Sequence, residues 1–211
     1  MSLPMEDSTG AVPSLTTDRG ACFGFGIRSA ISFACLRDGG GLPLEIGAAA
    51  ELQPSQPMPM VVEWREPPDH EPFARLYRDG TAYWLWVRRG GWTRIEPDVP
   101  RITLPETMAP GLSEEHVWTI PVSLCLLRRG DLVLHAAAVE IGGRAVLLVA
   151  AGGAGKSTLA AACVQSGFRL LSEDLTCVRM SDEPGVIAGP AMLRLRPDVL
   201  AHLALPGARV I

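Results

Sequence analysis

The stretch VAAGGAGKSTL, residues 149–159, has the residue types and spacing of a phosphate-binding loop. Such a loop follows the pattern G-x-x-x-x-G-K-[ST]. Its backbone N–H groups surround an anion, and the dipole of the following helix adds positive charge. Gly152, Gly153 and Gly155 give the backbone the freedom that this turn needs. Ala150 stands where the pattern has its first glycine, and this costs free energy only if the position needs a positive φ.

The side chains that end the loop predict how a nucleotide is held. Lys156 is placed to reach the β- and γ-phosphates, and the Ser157 hydroxyl is placed to bind Mg²⁺. A Gly/Ala-rich turn that contains GKST by chance is the alternative, but an apolar strand before the loop and a helix after it favour a nucleotide site. ATP and Mg²⁺ are therefore the predicted cofactors. The predicted binding residues are Gly152, Gly153, Ala154, Gly155, Lys156, Ser157 and Thr158.

Two acids and a histidine stand where they could meet this loop. Glu173 and Asp174 follow Phe168–Leu171, a short apolar run that predicts a buried strand. In a parallel sheet the carboxyl end of that strand lies beside the loop, where a carboxylate can bind the metal or activate a nucleophile. A solvated acidic turn is the alternative. His135, taken alone between LVL and AAA, fits a packed core histidine better than a catalytic one.

The elements that must position these residues follow the order strand, loop, helix, strand. DLVLHAAAVEI and RAVLLVA predict two strands joined at Gly142-Gly143, and STLAAACVQSG predicts a helix that Gly167 ends. Before them, Ser113 to His116 has an N-cap candidate followed by acids. It predicts one short helix that ends in RRG. Residues 113–211 are thus predicted to form an α/β nucleotide-binding region.

Residues 21–112 differ in composition: they are rich in Gly and Pro, and their apolar runs are too short for helices. Asp79-Gly80 and Gly90-Gly91 are turn dipeptides on either side of TAYWLWV, which favours hairpins. We predict a small β-rich domain here. Residues 1–20, poor in apolar side chains, are predicted to be a flexible leader.

Three tryptophans of this region could be a base-stacking platform, but such platforms accompany basic grooves and none is visible here. Packing within a small β-sheet core explains them better. The three residues are Trp84, Trp86 and Trp92.

Composition excludes several classes of protein. The 211 residues are 47% hydrophobic and 20% charged, an ordinary globular balance. A net charge of −4 without a basic run argues against a nucleic-acid partner. No apolar run approaches the ~18 residues of a membrane span, and the first residues are acidic rather than basic. Five scattered cysteines without a C-x-x-C pair predict buried thiols in a reducing compartment, so we expect a cytoplasmic protein.

From LHAAAVEIGG to LSEDLTCV the sequence resembles the core of HPr kinase/phosphorylase-type serine kinases, bacterial enzymes with a P-loop fold related to phosphoenolpyruvate carboxykinase. That family has a histidine twenty-one residues before the loop lysine and two aspartates seventeen and eighteen residues after it. His135, Glu173 and Asp174 stand at those distances from Lys156. The resemblance covers roughly residues 131–180. CFGFGIRSAISFACL is more loosely similar to relatives found beside peptide-modification genes, including those that phosphorylate the C-terminal serine of lasso-peptide precursors.

The resemblance implies an ATP-dependent kinase that acts on a serine of a peptide or protein. It implies catalytic roles for Asp174, His135 and Lys156: Asp174 accepts the hydroxyl proton, Lys156 neutralises the transferring group, and His135 positions Asp174 or the phosphate. Ser157 and Glu173 are the implied metal residues. Regulatory relatives assemble into rings, which leaves a homo-oligomer open.

Several positions depart from the family pattern. Ala150 replaces a loop glycine, Glu173 replaces an aspartate, and Thr158 stands where regulatory members usually have glutamate. The E-I-R-G signature with its metal-binding glutamate has no match in GPAMLRLRPDV. We therefore expect a kinase without the reverse phosphorylase reaction. Because relatives continue with further strands and helices, we also expect a shortened kinase-like region. A nucleotide-binding interaction module and a small-molecule kinase are the alternatives.

Overall fold

The computed structural model describes residues 20–66 and 70–203 and shows a mixed α/β fold. This part of the chain forms one eight-stranded sheet, two three-stranded sheets and four helices. The predicted leader at residues 1–19 and the end of the chain at 204–211 lie outside the described residues.

The large sheet is built from eight strands of the predicted β-rich segment: β1 Ala21–Cys22, β2 Phe25–Ser29, β3 Leu42–Ala49, β4 Met60–Glu66, β5 Glu71–Asp79, β6 Ala82–Val87, β7 Gly91–Glu96 and β8 Arg101–Pro105. Their spatial order is β1-β2-β3-β8-β7-β6-β5-β4. The hairpins about Asp79-Gly80 and Gly90-Gly91 are confirmed, because β5, β6 and β7 pair antiparallel in succession. The sheet is not made of hairpins alone, since β3 pairs parallel with both β2 and β8.

The tryptophans pack within this sheet. The ring of Trp84 on β6 is buried and meets Trp92 of β7 edge to face, with 6.4 Å between ring centroids. The guanidinium of Arg94 lies over the Trp84 ring, 5.8 Å from its centroid. The guanidinium of Arg75 lies 5.5 Å from the Trp86 centroid. Aromatic pairs and cation–π contacts of this kind stabilise neighbouring strands.

Two helices follow where the sequence predicted one. Helix α1 spans Pro110–Val117 and helix α2 spans Ile120–Arg128, so the first helix begins before the predicted cap. A proline at N1 has no N–H to leave unsatisfied, which explains the start at Pro110. Pro121 explains the break, because in a continuous helix it has no N–H to donate to the Val117 carbonyl and its ring would clash with that carbonyl. Ser113 is no cap, since its hydroxyl donates to the Ala109 carbonyl, 3.1 Å away.

The strand, loop, helix, strand order of the remaining chain is confirmed, but its sheets are antiparallel rather than parallel. The elements are β9 Leu132–Leu134, β10 Ala137–Ile141, β11 Arg144–Leu148, α3 Lys156–Gln165, β12 Arg169–Ser172, β13 Thr176–Arg179, β14 Gly185–Ile187 and α4 Pro197–His202. Strand β10 pairs antiparallel with both β11 and β12 in the order β11-β10-β12. Strand β13 pairs antiparallel with both β14 and β9 in the order β14-β13-β9.

The Gly-rich loop still lies beside the acid pair in this antiparallel arrangement. Strands β11 and β12 both run opposite to β10, so they run in the same direction on either side of it. Their carboxyl ends therefore lie at the same edge of the small sheet. The Gly-rich loop leaves β11 at that edge, and the acid pair leaves β12 there.

The main core continues from the large sheet into the second half of the chain. Phe25 and Ile102 of the sheet, Val122 of α2 and Cys177 of β13 belong to one buried cluster. That cluster therefore crosses the predicted boundary at residue 112, and the division into domains stays a prediction.

All five cysteines are free thiols, and four of them are buried, as expected. Burial raises the pKa of the Cys125 thiol to about 12 and that of Cys177 to about 11. These two are therefore poor nucleophiles. Among the described residues no helix is both long and apolar enough to cross a membrane.

Candidate functional site

The Gly-rich loop joins the end of β11 to the start of α3. Gly153 and Gly155 have φ of 78° and 91°, in the left-handed region that favours glycine, and Gly155 is the N-cap of α3. Ala150 needs no such freedom, because positive φ among the described non-glycine residues occurs only at Phe23, His70 and Asp174. The alanine therefore fits the loop without backbone strain. The whole loop from Val149 to Gly155 is exposed.

Helix α3 begins with the two side chains that the motif singles out. The Lys156 ammonium donates to the carbonyl oxygens of Ala150 and Ala151, at 2.8 and 3.1 Å, so it lies over the loop backbone. The Ser157 hydroxyl donates to Glu173 Oε1 at 2.6 Å. Ala160, one turn further along, packs on β10 and fixes the helix against the small sheet.

The acid pair follows β12 on a tight turn. The Leu175 N–H donates to the Glu173 carbonyl at 2.7 Å, and Asp174 between them has φ of 63°. A non-glycine residue in this region costs on the order of 1–3 kcal/mol and occurs often at functional sites. Two buried hydroxyls hold the turn in place. Thr176 Oγ1 lies 2.8 Å from Ser172 Oγ and donates to the Ala136 carbonyl at 2.8 Å.

His135 lies between β9 and β10 and faces Asp174. Its Nδ1 is 3.1 Å from Asp174 Oδ1 and also 3.1 Å from the Asp174 carbonyl oxygen. The imidazole is 59% exposed, so the core-histidine interpretation is wrong. The residue breaks the single strand predicted for DLVLHAAAVEI, because β9 pairs with β13 whereas β10 pairs with β11 and β12.

Arg194 also contacts Glu173 and Asp174, and no sequence pattern predicted this residue. Its Nη2 donates to Asp174 Oδ2 at 2.6 Å, and its Nε lies 3.5 Å from Glu173 Oε2. The segment LRLRPDV matches no motif that would mark this arginine. The available signal is indirect: two adjacent acids, one of them buried, need a cation nearby.

The site residues fit a magnesium ion that arrives with phosphates rather than one held by protein alone. No group of three or more His, Cys, Asp or Glu side chains in the described ranges is arranged to hold a metal. The Ser157 hydroxyl and the Glu173 carboxylate are hard oxygen donors at hydrogen-bond distance from each other. Mg²⁺ usually takes one or two protein oxygens and completes its shell with phosphates and waters.

The structure thus brings the predicted site residues together through a short chain of contacts. Ser157 at the start of α3 touches Glu173, the neighbouring Asp174 touches His135, and Lys156 covers the loop. Comparison of the chain with protein-family models, with curated proteins and with solved structures finds no match.

Proposed function

We propose that this protein is an ATP-dependent kinase of the HPr kinase type that transfers the γ-phosphoryl group to a serine of a peptide or protein. The hydrogen bond from Ser157 to Glu173 carries the proposal. It joins the hydroxyl that binds Mg²⁺ in a phosphate loop to the acid pair, at the sheet edge where nucleotide and acceptor must meet. A Gly/Ala-rich turn with a solvated acidic loop elsewhere would have no such contact.

Each side chain then has a defined task. The loop N–H groups and the Lys156 ammonium bind the β- and γ-phosphates. Ser157 and Glu173 would hold the Mg²⁺ that accompanies the nucleotide. Mg²⁺, when bound, supplies charge neutralisation for the phosphates. Asp174 accepts the proton of the acceptor serine hydroxyl as the serine oxygen forms a bond to the γ-phosphorus. The bond between the γ-phosphorus and the ADP oxygen breaks in the same step.

The fold keeps Asp174 in one orientation for this proton transfer. Its backbone has a φ of 63° in a turn whose flanking residues, Ser172 and Thr176, are joined through their hydroxyls, and its side chain is fixed by His135 on Oδ1 and by Arg194 on Oδ2. Fixed orientation of a general base lowers the entropy lost in reaching the transition state. His135 is therefore a positioning residue in this proposal.

The open surface around the loop supports a peptide or protein acceptor over a small molecule. Val149 and Leu159 are exposed apolar side chains on either side of the Gly-rich loop. Phosphoryl transfer needs a site from which water is excluded. A peptide that covers these side chains would supply that exclusion, whereas a small acceptor would leave the loop open to water.

Titration calorimetry with ATP and Mg²⁺, followed by phosphate transfer to peptides that end in serine, tests the proposal. We expect Lys156→Ala to lose ATP binding. Asp174→Asn should bind ATP within about threefold of wild type and lose transfer by about 10²–10⁴-fold. Arg144→Ala, which removes an exposed cation at the opposite end of β11, is the matched control and should behave as wild type.

Each alternative gives a different result. ATP binding without transfer by the wild-type chain would indicate a nucleotide-binding interaction module. Transfer to free sugars or nucleosides in preference to serine peptides would indicate a small-molecule kinase. Absence of ATP binding by wild type would refute the proposal altogether.

A further inference from the structure

Arg194 lies between the carboxylates of Glu173 and Asp174 and contacts both through one guanidinium. We propose that Arg194 is a resident cation of this site. It occupies the oxygens that a second divalent ion would need, so the site takes a single divalent ion together with its nucleotide. The part of the inference that concerns the nucleotide rests on the proposed kinase function. The contacts of Arg194 with the two acids do not depend on that function.

The carboxylate oxygens of the two acids are divided between different partners. Glu173 presents Oε1 to the Ser157 hydroxyl and Oε2 to Arg194. Asp174 presents Oδ1 to His135 and Oδ2 to Arg194. One oxygen of each acid thus faces the loop or the histidine, and the other faces the guanidinium. The oxygens left for a metal at the nucleotide are those on the Ser157 side.

Glu173 is the more buried of the two acids. The Glu173 side chain is only 5% exposed, and a carboxylate removed from water needs a charged or hydrogen-bonding partner. A divalent ion or a protein cation can supply that charge, and this chain places a cation there itself.

The cation that meets these acids is an arginine rather than a lysine. A guanidinium remains protonated at every physiological pH and offers several N–H donors in a fixed plane. Two of those donors point to two different acids here, which a lysine ammonium reproduces less well. The positive charge is therefore permanent, and it does not depend on the concentration of metal in solution.

Manganese binding, followed by electron paramagnetic resonance with Mn²⁺ as the probe, tests the proposal in two arms. The 211-residue chain is titrated with Mn²⁺ alone and then with Mn²⁺ in the presence of saturating ATP. We expect wild type to bind weakly alone and to take one Mn²⁺ for each bound ATP. Arg194→Ala should bind Mn²⁺ alone at least about tenfold more tightly, because two carboxylates lose their cation. With ATP this variant should take a second ion.

Three further variants make the result specific. Glu173→Gln added to Arg194→Ala should remove the gained affinity, because it removes one of the freed carboxylates. Arg194→Lys keeps the charge and should stay within about threefold of wild type. Arg169→Ala, on the strand that leads into Glu173, removes one guanidinium from an exposed pair with Glu140 and should leave Mn²⁺ binding unchanged.

Two results would overturn the inference. One is a wild-type stoichiometry of two Mn²⁺ for each ATP. The other is an Arg194→Ala chain, folded by its cooperative melting, whose affinity for Mn²⁺ alone equals that of wild type. If Arg194→Ala does not fold, equal Mn²⁺ binding by Arg194→Lys and wild type supports the inference, and tighter binding by the lysine variant contradicts it. A wild-type chain that binds no ATP refutes the kinase proposal only, because the arm without ATP still decides the role of Arg194.

Discussion

The two halves of this molecule differ in what holds them together. The first half, which comprises the large sheet, α1 and α2, contributes all but one of the 21 residues of the main buried apolar cluster, including large side chains such as Phe25 and Trp118; the remaining residue is Cys177 of β13. The small sheet and α3 share a buried cluster of three, Ala137, Val139 and Ala160. Because burial of apolar area is the main stabilising contribution, most of the stability must come from the first half.

Polar contacts take the place of apolar burial around the site. Arg37, just before β3, donates through Nε to the Gly189 carbonyl at 2.7 Å and through Nη2 to the Leu170 carbonyl at 2.8 Å. Arg129, after α2, donates to the Phe23 carbonyl at 2.7 Å and pairs with the buried Asp131. These bonds attach the site region to the stable half while leaving its loop exposed. An exposed, polar site on a well-packed scaffold is typical of functional loops.

Truncation of the core should give the largest effect on stability. Phe25→Ala removes a fully buried ring that packs in the main cluster and lies under the Arg129 guanidinium, 4.2 Å from the ring centroid. We expect the free energy of unfolding, measured in urea, to fall by about 3–5 kcal/mol. Phe168→Ala, between α3 and β12, is the matched control, because that ring is 39% exposed.

The control variant should lose at most about 1 kcal/mol, since little apolar area is buried there. A loss for Phe168→Ala as large as that for Phe25→Ala would show that the site region contributes equally to stability. The contrast between the halves would then be wrong.

Acid should weaken the stable half through one buried histidine. His116 of α1 contacts Thr93 of β7, with 2.8 Å between Nε2 and Oγ1, and burial lowers its pKa from 6.5 to about 4. Between these pH values the unfolded chain binds a proton that the folded chain does not, so stability falls as the pH falls. The contribution is complete above pH 6.5 and is lost by about pH 4, with a total of about 3 kcal/mol.

Urea unfolding at several pH values, run in parallel on wild type and His116→Gln, isolates this effect. Glutamine does not titrate, and its amide can still contact Thr93. The unfolding free energy of wild type relative to that of His116→Gln should therefore fall by about 3 kcal/mol from pH 7 to pH 4. A constant difference over that range would mean that His116 does not link protonation to folding.

The sequence predicts the elements better than their pairing. Turn dipeptides such as Asp79-Gly80 act locally, so the hairpins they predict are present. The split of DLVLHAAAVEI at His135 depends on β13, which lies far along the chain, and no local pattern indicates it. The parallel arrangement was wrong for the same reason: strand direction depends on which distant strands pair. Pro121 did carry a local signal for the break between α1 and α2.

At the site, sequence spacing predicted Ser157 and Glu173, which stand at motif positions. It did not predict Arg194, which belongs to no motif. Ser157 and Glu173 meet because β11 and β12 run in the same direction, so the segments that follow these two strands lie at the same end of the small sheet. Arg194 reaches the acids from a segment beyond β14, so its role depends on tertiary packing alone. An arginine in an irregular segment carries no periodicity or motif from which that position follows.

The smallest expected effect concerns Ala150 in the loop. The left-handed conformations there belong to Gly153 and Gly155, and Ala150 contributes its carbonyl oxygen to the Lys156 ammonium, an acceptor that any residue provides. Ala150→Gly should therefore leave ATP affinity within about threefold of wild type and lower the unfolding free energy by at most about 1 kcal/mol, through the added freedom of the unfolded chain. Gly155→Ala is the contrasting variant, because φ of 91° strains any residue with a side chain. It should weaken ATP binding more than Ala150→Gly does in the same calorimetric titration. A gain in affinity of tenfold or more for Ala150→Gly would show that the first loop position needs glycine for nucleotide binding and that the alanine has weakened this site.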